Sequence, residues 1–435
     1  MTAEVAILNK TAIALAADSA VTISSGSDQQ KTYDSADKLF ELSNHDPIAV
    51  MVNGDMNFAQ TPLPVLVKLF RDRCAQYDSV ENAASEFLDF LSDHGAAAPV
   101  SVRESLLEIA IRPWFERIKE RFEETFTHKI LSPEPKVERT QEWFAQARED
   151  SLSEQIRVVE TGLSKLPDAN FVGGGDSVDG DLFREVFSRV TNEMFPDLND
   201  EQRMALARVA DLLFKKPLGP TNTGIIIAGY GRDEVFPTLI HYEVFGVIGT
   251  GLKYLRREKI DIDRDGERAR VLPFAQKEMV ERFLYGLDLG IRRSIEDFCR
   301  QSVPRIREKL LEQIELSEAD SEKLNREAEV AEAAFLAGLV EESFDLIRSE
   351  SELEIEGMVE FMPKPELARM AEALVDLTSI KRRVSRGYET VGGPIDVAVI
   401  SKAEGFVWVK RKHYFPAELN QRFFERKKLK GLKGE

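Results

Sequence analysis

Short apolar runs separated by polar turns open the chain. Thr2 to Leu8 and Thr11 to Ala17, with Asn9-Lys10 between them, predict a β-hairpin that stops at Asp18-Ser19. A loop rich in Ser, Gly and Gln follows, then Ala36 to Leu42, then the apolar run Ile48 to Val52 ending at Asn53-Gly54-Asp55. After Phe58 the apolar spacing becomes helical, at Leu63 to Cys74 and Val80 to Leu91. In the charged region Arg103 to Glu160, Trp114, Phe115, Ile118, Phe122 and Phe126 recur at three and four residues. That stripe predicts one core-facing helix side in preference to an aromatic ligand cage. Phe171 to Asp176 holds three glycines but lacks the Lys-Ser/Thr pair of a phosphate loop, and reads as a flexible turn. Helical spacing resumes from Asp181 to Phe214 and stops at Lys216-Pro217.

Strand character then returns. Thr223 to Gly231 is an apolar strand ending in glycines, with Thr238 to Val244 as its antiparallel partner. Asp261 to Gly266 imitates the opening of a calcium loop, but the twelfth position is Leu272 where a bidentate Glu is needed. With Arg256, Arg257, Lys259, Arg264 and Arg268 compensating the acids, a charged hairpin turn is the better reading. Val271 to Phe274 reads as a short strand leading into a helix from Lys277 to Leu289. Glu296 to Phe361 is helix-forming, with Leu310, Leu311, Ile314 and Leu316 as its stripe. Breaks in the apolar repeat at Ser317-Glu318 and at Ser349 to Ser351 predict a solvated antiparallel hairpin in preference to a long coiled coil, with an oligomer contact as one use of such a helical pair. Leu367, Met370, Ala371, Leu374, Leu377 and Ile380 mark one more amphipathic helix. The Gly392-Gly393 turn then leads into the strands Ile395 to Ile400 and Gly405 to Val409.

Composition narrows the classes. The 435 residues predict several domains or one core with large insertions, and 43% hydrophobic residues suffice for a packed interior. A net charge of -18 argues against a general nucleic-acid binder, which needs a basic face. Two distant cysteines, Cys74 and Cys299, give neither a disulfide framework nor a zinc site, and the five histidines lack metal-ligand spacing. No metal or other cofactor is expected. No apolar run approaches the roughly 20 residues of a membrane span, and no secretory leader pattern opens the sequence, so a cytoplasmic location is the expectation. The basic C-terminal stretch, Lys410 to His413 and Arg426 to Lys433, is either a solvated or self-docked tail or a contact for a nucleic acid or an acidic partner.

Four features resemble one family. Thr2 at the start, Ala16-Ala17-Asp18-Ser19 closing the second strand, Lys38-Leu39-Phe40-Glu41-Leu42, and Met51-Val52-Asn53-Gly54 look like the opening of a proteasome β subunit or HslV protease. The strand pair from Thr223 to Val244 and the final helix, Gly-rich turn and strand pair fall in the family's order. The resemblance, to the N-terminal nucleophile (Ntn) hydrolases, implies an α+β fold. Specifically it implies a four-layer αββα sandwich of two antiparallel sheets with large helical insertions. The discontinuous core would be 1–60, 222–300 and 362–415, with a helical insertion at 61–221, a helical hairpin at 301–361 and a basic tail at 416–435.

The same resemblance implies a mechanism. Met1 precedes a small residue, the context in which an initiator Met is trimmed, which would leave Thr2 with a free α-amine beside its hydroxyl. That amine, titrating at roughly pH 7.7–8.0, can take the proton of the attacking hydroxyl. By the resemblance Lys38 lowers the proton affinity of both groups, Asp18 orients Lys38, and the amide of Gly54 faces the developing oxyanion. Two departures stand out. Asn53 occupies the place of an Ala, and Tyr388 and Val391 the places of the Asp and Ser that support the amine, leaving Glu389 or Thr390 as substitutes. The expected activity is a threonine-type peptidase or amidohydrolase acting on a peptide or small amide, in a possible homo-oligomer. The alternative is a catalytically inactive relative whose helical insertions bind partners.

Overall fold

The structure is a computed structural model that describes residues 2–24, 30–131, 140–172, 180–248, 251–264, 266–313, 317–384 and 391–425. In chain order the first strands are β1 (Ala3–Asn9), β2 (Ala12–Ala17), β3 (Val21–Ser24), β4 (Gln30–Tyr33), β5 (Leu39–Glu41), β6 (Ile48–Gly54), β7 (Asn57–Phe58) and β8 (Thr61–Pro62). Helices α1 (Leu63–Arg71), α2 (Val80–Ala96), α3 (Val100–Leu131) and α4 (Gln141–Ser164) precede the short β9 (Asn170–Phe171), with α5 (Gly180–Met194) and α6 (Asp200–Lys215) after it. Strands β10 (Thr223–Gly229), β11 (Thr238–Ile248), β12 (Gly251–Asp261) and β13 (Ala269–Ala275) come next. Helices α7 (Glu278–Tyr285), α8 (Leu289–Leu311), α9 (Glu318–Gly338), α10 (Asp345–Val359) and α11 (Lys364–Val384) lead to β14 (Asp396–Ser401) and β15 (Gly405–Lys410). The chain is therefore a mixed α+β protein, and it divides into two compact units.

The first unit comprises 1–39, 235–237 and 261–435. Its sheet has five antiparallel strands in the order β13-β1-β2-β14-β15. The opening hairpin turns at Lys10-Thr11, and Asn9 holds it: its Oδ1 accepts from the Thr11 amide (2.9 Å), the Thr11 hydroxyl (2.7 Å) and the Ala12 amide (3.2 Å). An Asn side chain standing in for backbone is what makes that residue a turn former. Its Nδ2 donates to the carbonyls of Val359 (2.9 Å) and Met362 (3.0 Å), so the turn is tied to the end of α10. Alanines at 12, 14 and 16 keep one face of β2 low, and α11 packs there through Leu367, Ala371, Leu374 and Val375. Burying each of those leucines contributes roughly 1.5–3 kcal/mol. Ile380, expected on that face, is 49% exposed. Thr378 and Ser379 turn inward instead, each hydroxyl satisfied by the carbonyl four residues back at 3.2 Å.

One other expectation for this unit is corrected. Asp261 to Gly266 is not a hairpin turn, because β12 and β13 belong to different sheets. The loop closes on itself instead, the Asp263 amide donating to the Glu267 carbonyl at 2.8 Å. The helical segment does break at Ser317, which caps α9 by accepting from the Asp320 amide. At Ser349 to Ser351, where the apolar repeat is interrupted, the helix continues, since α9 runs through a π-helical stretch (Leu339–Phe344) into α10. There the Arg348–Glu352 pair, 2.9 Å apart one turn on, supports a helix whose serines face solvent. The stripe expected on α8 is not buried: no residue of that helix is, and Leu310 is 62% exposed. Ile314, Leu316 and the Phe171–Asp176 glycines from 173 onward lie outside the described residues.

The second unit comprises 40–234 and 238–260. Its sheet runs β5-β6-β10-β11-β12-β9, and β10 lies antiparallel between β6 and β11. Helices α1 and α2 cover it through Leu66, Phe70, Ala84 and Phe87, packed on Val50, Ile227 and Ile240. Helices α3 to α6 form a separate core, with Phe115, Ile118 and Phe122 of the expected stripe fully inside and Trp114 and Phe126 at its margin. Asn199 and Gln202 make a reciprocal capping box at the start of α6. At its C-terminal end the fully buried Lys253 donates to the carbonyls of Leu213 (2.9 Å) and Leu218.

Burial pushes the Lys253 ammonium down to about 7. An unfolded lysine titrates near 10.4, so between those values the unfolded chain binds more protons and stability rises with pH. The wild-type urea midpoint should therefore climb from pH 6 to pH 9, and Lys253→Met should lack that climb. Equal slopes in the two proteins would contradict the assignment.

Candidate active site

Register brings the first candidate residues together. Glu4 pairs with Ala17, so Ala3 stands opposite Asp18. The Asp18 amide donates to the Ala3 carbonyl at 3.1 Å, and the Ala3 amide returns a bond to Asp18 Oδ1 at 3.1 Å. Thr2 is thus the residue immediately beyond the ladder, and its carbonyl accepts from the Gln276 amide at 3.2 Å. The third candidate arrives from the loop after β4: Lys38 Nζ lies 2.6 Å from the same Asp18 Oδ1. A single carboxylate oxygen therefore links the Lys38 ammonium to the residue that follows Thr2. Asp18 Oδ2 accepts from the Gly392 amide at 3.0 Å.

The pair is enclosed, with side chains 1% (Lys38) and 0% (Asp18) exposed, and Thr2 is 5% exposed. Removing two charges from water is costly, and the pair persists because both oxygens of the carboxylate have donors. Ser19 locks the same corner: its amide donates to the Gly392 carbonyl (3.2 Å) and its hydroxyl to the Pro394 carbonyl (2.5 Å). The Gly392-Gly393 turn is thereby part of the site. Gly393 has φ +76, and a Cβ there would stand 2.8 Å from Asp34 Cβ, so glycine is needed.

Several contributors were not foreseen in the sequence. Ala275, opposite Ala3, has φ +60, a left-handed conformation that costs a non-glycine residue about 1–2 kcal/mol. It turns the chain so that Gln276, 6% exposed, meets Thr2, and Arg382 Nε donates to Gln276 Oε1 at 2.5 Å. No local pattern marks these residues. Beside Lys38, Asp37 is bound by Arg411 (3.0 Å) and Lys412 (3.2 Å), which also reach the buried Asp396. The start of the basic stretch, Lys410 to Lys412, is accordingly docked on the protein's own acids, including Glu372. Val391 is fully buried, while Tyr388, Glu389, Thr390 and the stretch from Arg426 lie outside the described residues.

Gly54 belongs to the second unit, exposed at the end of β6 opposite Thr223. Its φ is +79, and a Cβ would stand 2.1 Å from the Asn222 carbonyl oxygen. Gly54→Ala should cost about 1–3 kcal/mol, read as a lower urea midpoint; an unchanged midpoint would deny the conformational requirement.

Among the described residues no group of three His, Cys, Asp or Glu side chains could hold a metal, and no helix is long and apolar enough to cross a membrane. No protein-family model matches the chain, and no curated protein does.

Proposed function

We propose that the chain is an N-terminal threonine hydrolase, a peptidase or amidohydrolase. The observation that carries this reading is the Asp18 oxygen shared by the Lys38 ammonium and the Ala3 amide. A cation held on the same oxygen as the amide next to Thr2 supports a role for Lys38 at the residue whose hydroxyl and α-amine would act together. Cleavage of the Met1–Thr2 bond frees that amine. The amine then takes the Thr2 hydroxyl proton, directly or through a water, as the oxygen attacks the substrate carbonyl. Collapse of the tetrahedral intermediate breaks the C–N bond, and the protonated amine returns the proton to the leaving nitrogen. Water, deprotonated by the same amine, hydrolyses the acyl ester.

The Lys38 charge disfavours protonation of the amine and stabilises the alkoxide that forms beside it. Because both Asp18 oxygens already have donors, Asp18 holds Lys38 without competing for the reacting proton. The reading rests on these first-unit residues; it carries with it the four-layer αββα sandwich as the fold and Gly54 as an oxyanion donor. A non-catalytic scaffold is the second reading, favoured by the exposed apolar residues of α8, such as Phe298 at 70%. Intact-mass analysis and an electrophilic probe for N-terminal threonine separate the two. The hydrolase shows loss of Met1 and one adduct on Thr2, whereas retention of Met1 in all preparations would remove the mechanism.

A further inference from the structure

Helices α8, α9 and α10 bury little of their own apolar surface. On α8, Phe298, Ile306 and Leu310 follow one i, i+4 ridge through Ser302, and they are 70%, 58% and 62% exposed. On α9, Leu324, Ala328, Ala331 and Phe335 repeat at four, three and four residues, with Phe335 50% exposed. On α10, Leu353 and Met358 are each 71% exposed. Large side chains this open, on consecutive helices of one unit, make these helices a candidate interface. A standard interface buries roughly 800 Å² per partner, a scale that this many half-exposed side chains approaches.

Charge selects the occupant. Helix α8 carries six basic and three acidic side chains, while α9 carries two basic and six acidic, and α10 one basic and five acidic. Among the described residues Arg293, Arg300 and Arg305 of α8 form no ion pair, nor do Glu329 of α9 and Glu350 and Glu354 of α10. Two such cross-helix pairs already exist within the chain, Arg307 with Glu332 at 3.3 Å and Arg292 with Asp345 at 2.7 Å. A nucleic acid or an anionic membrane would match α8 and be repelled by α9 and α10. A second copy of this chain offers both signs, and a two-fold arrangement sets each basic helix against the other copy's acidic ones.

We propose that α8 to α10 form the two-fold interface of a homodimer, in which the Phe298–Ile306–Leu310 ridge of each α8 packs against the acidic helices of the other copy. The proposal is independent of the hydrolase reading. Sedimentation equilibrium of the full chain should give a dimer at about 10 µM or below. Ile306→Asp with Leu310→Asp should weaken association by about 100-fold or more, with circular dichroism unchanged because both sites are solvent-facing in the single chain, and with melting that no longer depends on protein concentration. Reversing charge on Arg293, Arg300 and Arg305 together, or on Glu329, Glu350 and Glu354 together, should weaken it, and carrying both sets in one chain should restore it. A monomer at about 100 µM, with or without another protein co-purifying, overturns the proposal. So does an assembly untouched by the Ile306 and Leu310 changes, or a doubly reversed chain no tighter than either single set.

Discussion

Thr2→Ala is expected to lower amide hydrolysis on the order of 10⁶-fold in kcat, the scale seen when an activated nucleophile is deleted from a constellation that acts as a unit. The substitution removes the attacking oxygen and leaves the ladder intact, because Thr2 contributes its carbonyl to Gln276 and the amide next in line, that of Ala3, to Asp18. Stability should therefore hardly move while turnover disappears. Thr2→Ser keeps a hydroxyl beside the amine and should retain measurable turnover and probe labelling. Rate should rise with pH as the amine loses its proton, with a midpoint below roughly 7.7–8.0 because the Lys38 cation opposes protonation. The decisive measurement is a single-turnover assay on processed protein with the probe as active-site titrant. Labelling of Thr2→Ala equal to that of wild type would remove the reading altogether.

The parts of this arrangement that could be read in the chain are those fixed by near neighbours. Two apolar runs around Asn9 specify a hairpin, and the hairpin's register places Asp18 opposite Ala3 without further help. The Gly392-Gly393 turn could be read as a turn, but not as a donor to Asp18, because the two are 374 residues apart and only the chain's path joins them. Ala275 is similar: nothing in Leu272-Pro273-Phe274-Ala275-Gln276 announces a left-handed residue, and the conformation exists because Gln276 must meet Thr2. The loop after Asp261 departs from its expected hairpin for the converse reason. Two adjacent strands with a charged turn suggest a hairpin locally, yet their pairing partners, β9 and β11 for one and β1 for the other, are set elsewhere. Lys253 shows the same limit in chemistry, a lysine in a strand with no hint in its neighbours that two carbonyls would enclose it. On α8 the apolar stripe was visible, but whether its cover is the chain itself is not a property of the stripe.

Asp18→Ala is expected to cost about 3–5 kcal/mol, because it strands the Lys38 ammonium in a site where the side chain is 1% exposed and also orphans the Ala3 and Gly392 amides. Lys38→Met should cost less, since the remaining carboxylate keeps the two backbone donors and the methionine fills the same volume. The double variant should then fall short of the summed losses by about 1–3 kcal/mol, the signature of two groups that exist for each other. Urea unfolding of the four proteins measures this coupling, and additivity would deny the buried pair. Activity discriminates further. If the pair served only to pin the loop at Asp37 to the sheet, residual hydrolysis would track stability, and Lys38→Met would be the milder lesion in both. In the proposed mechanism the order inverts: Lys38→Met, the less destabilising change, removes the cation that depresses the amine and steadies the alkoxide. It should lower kcat by about 10³-fold or more while leaving the fold nearly intact.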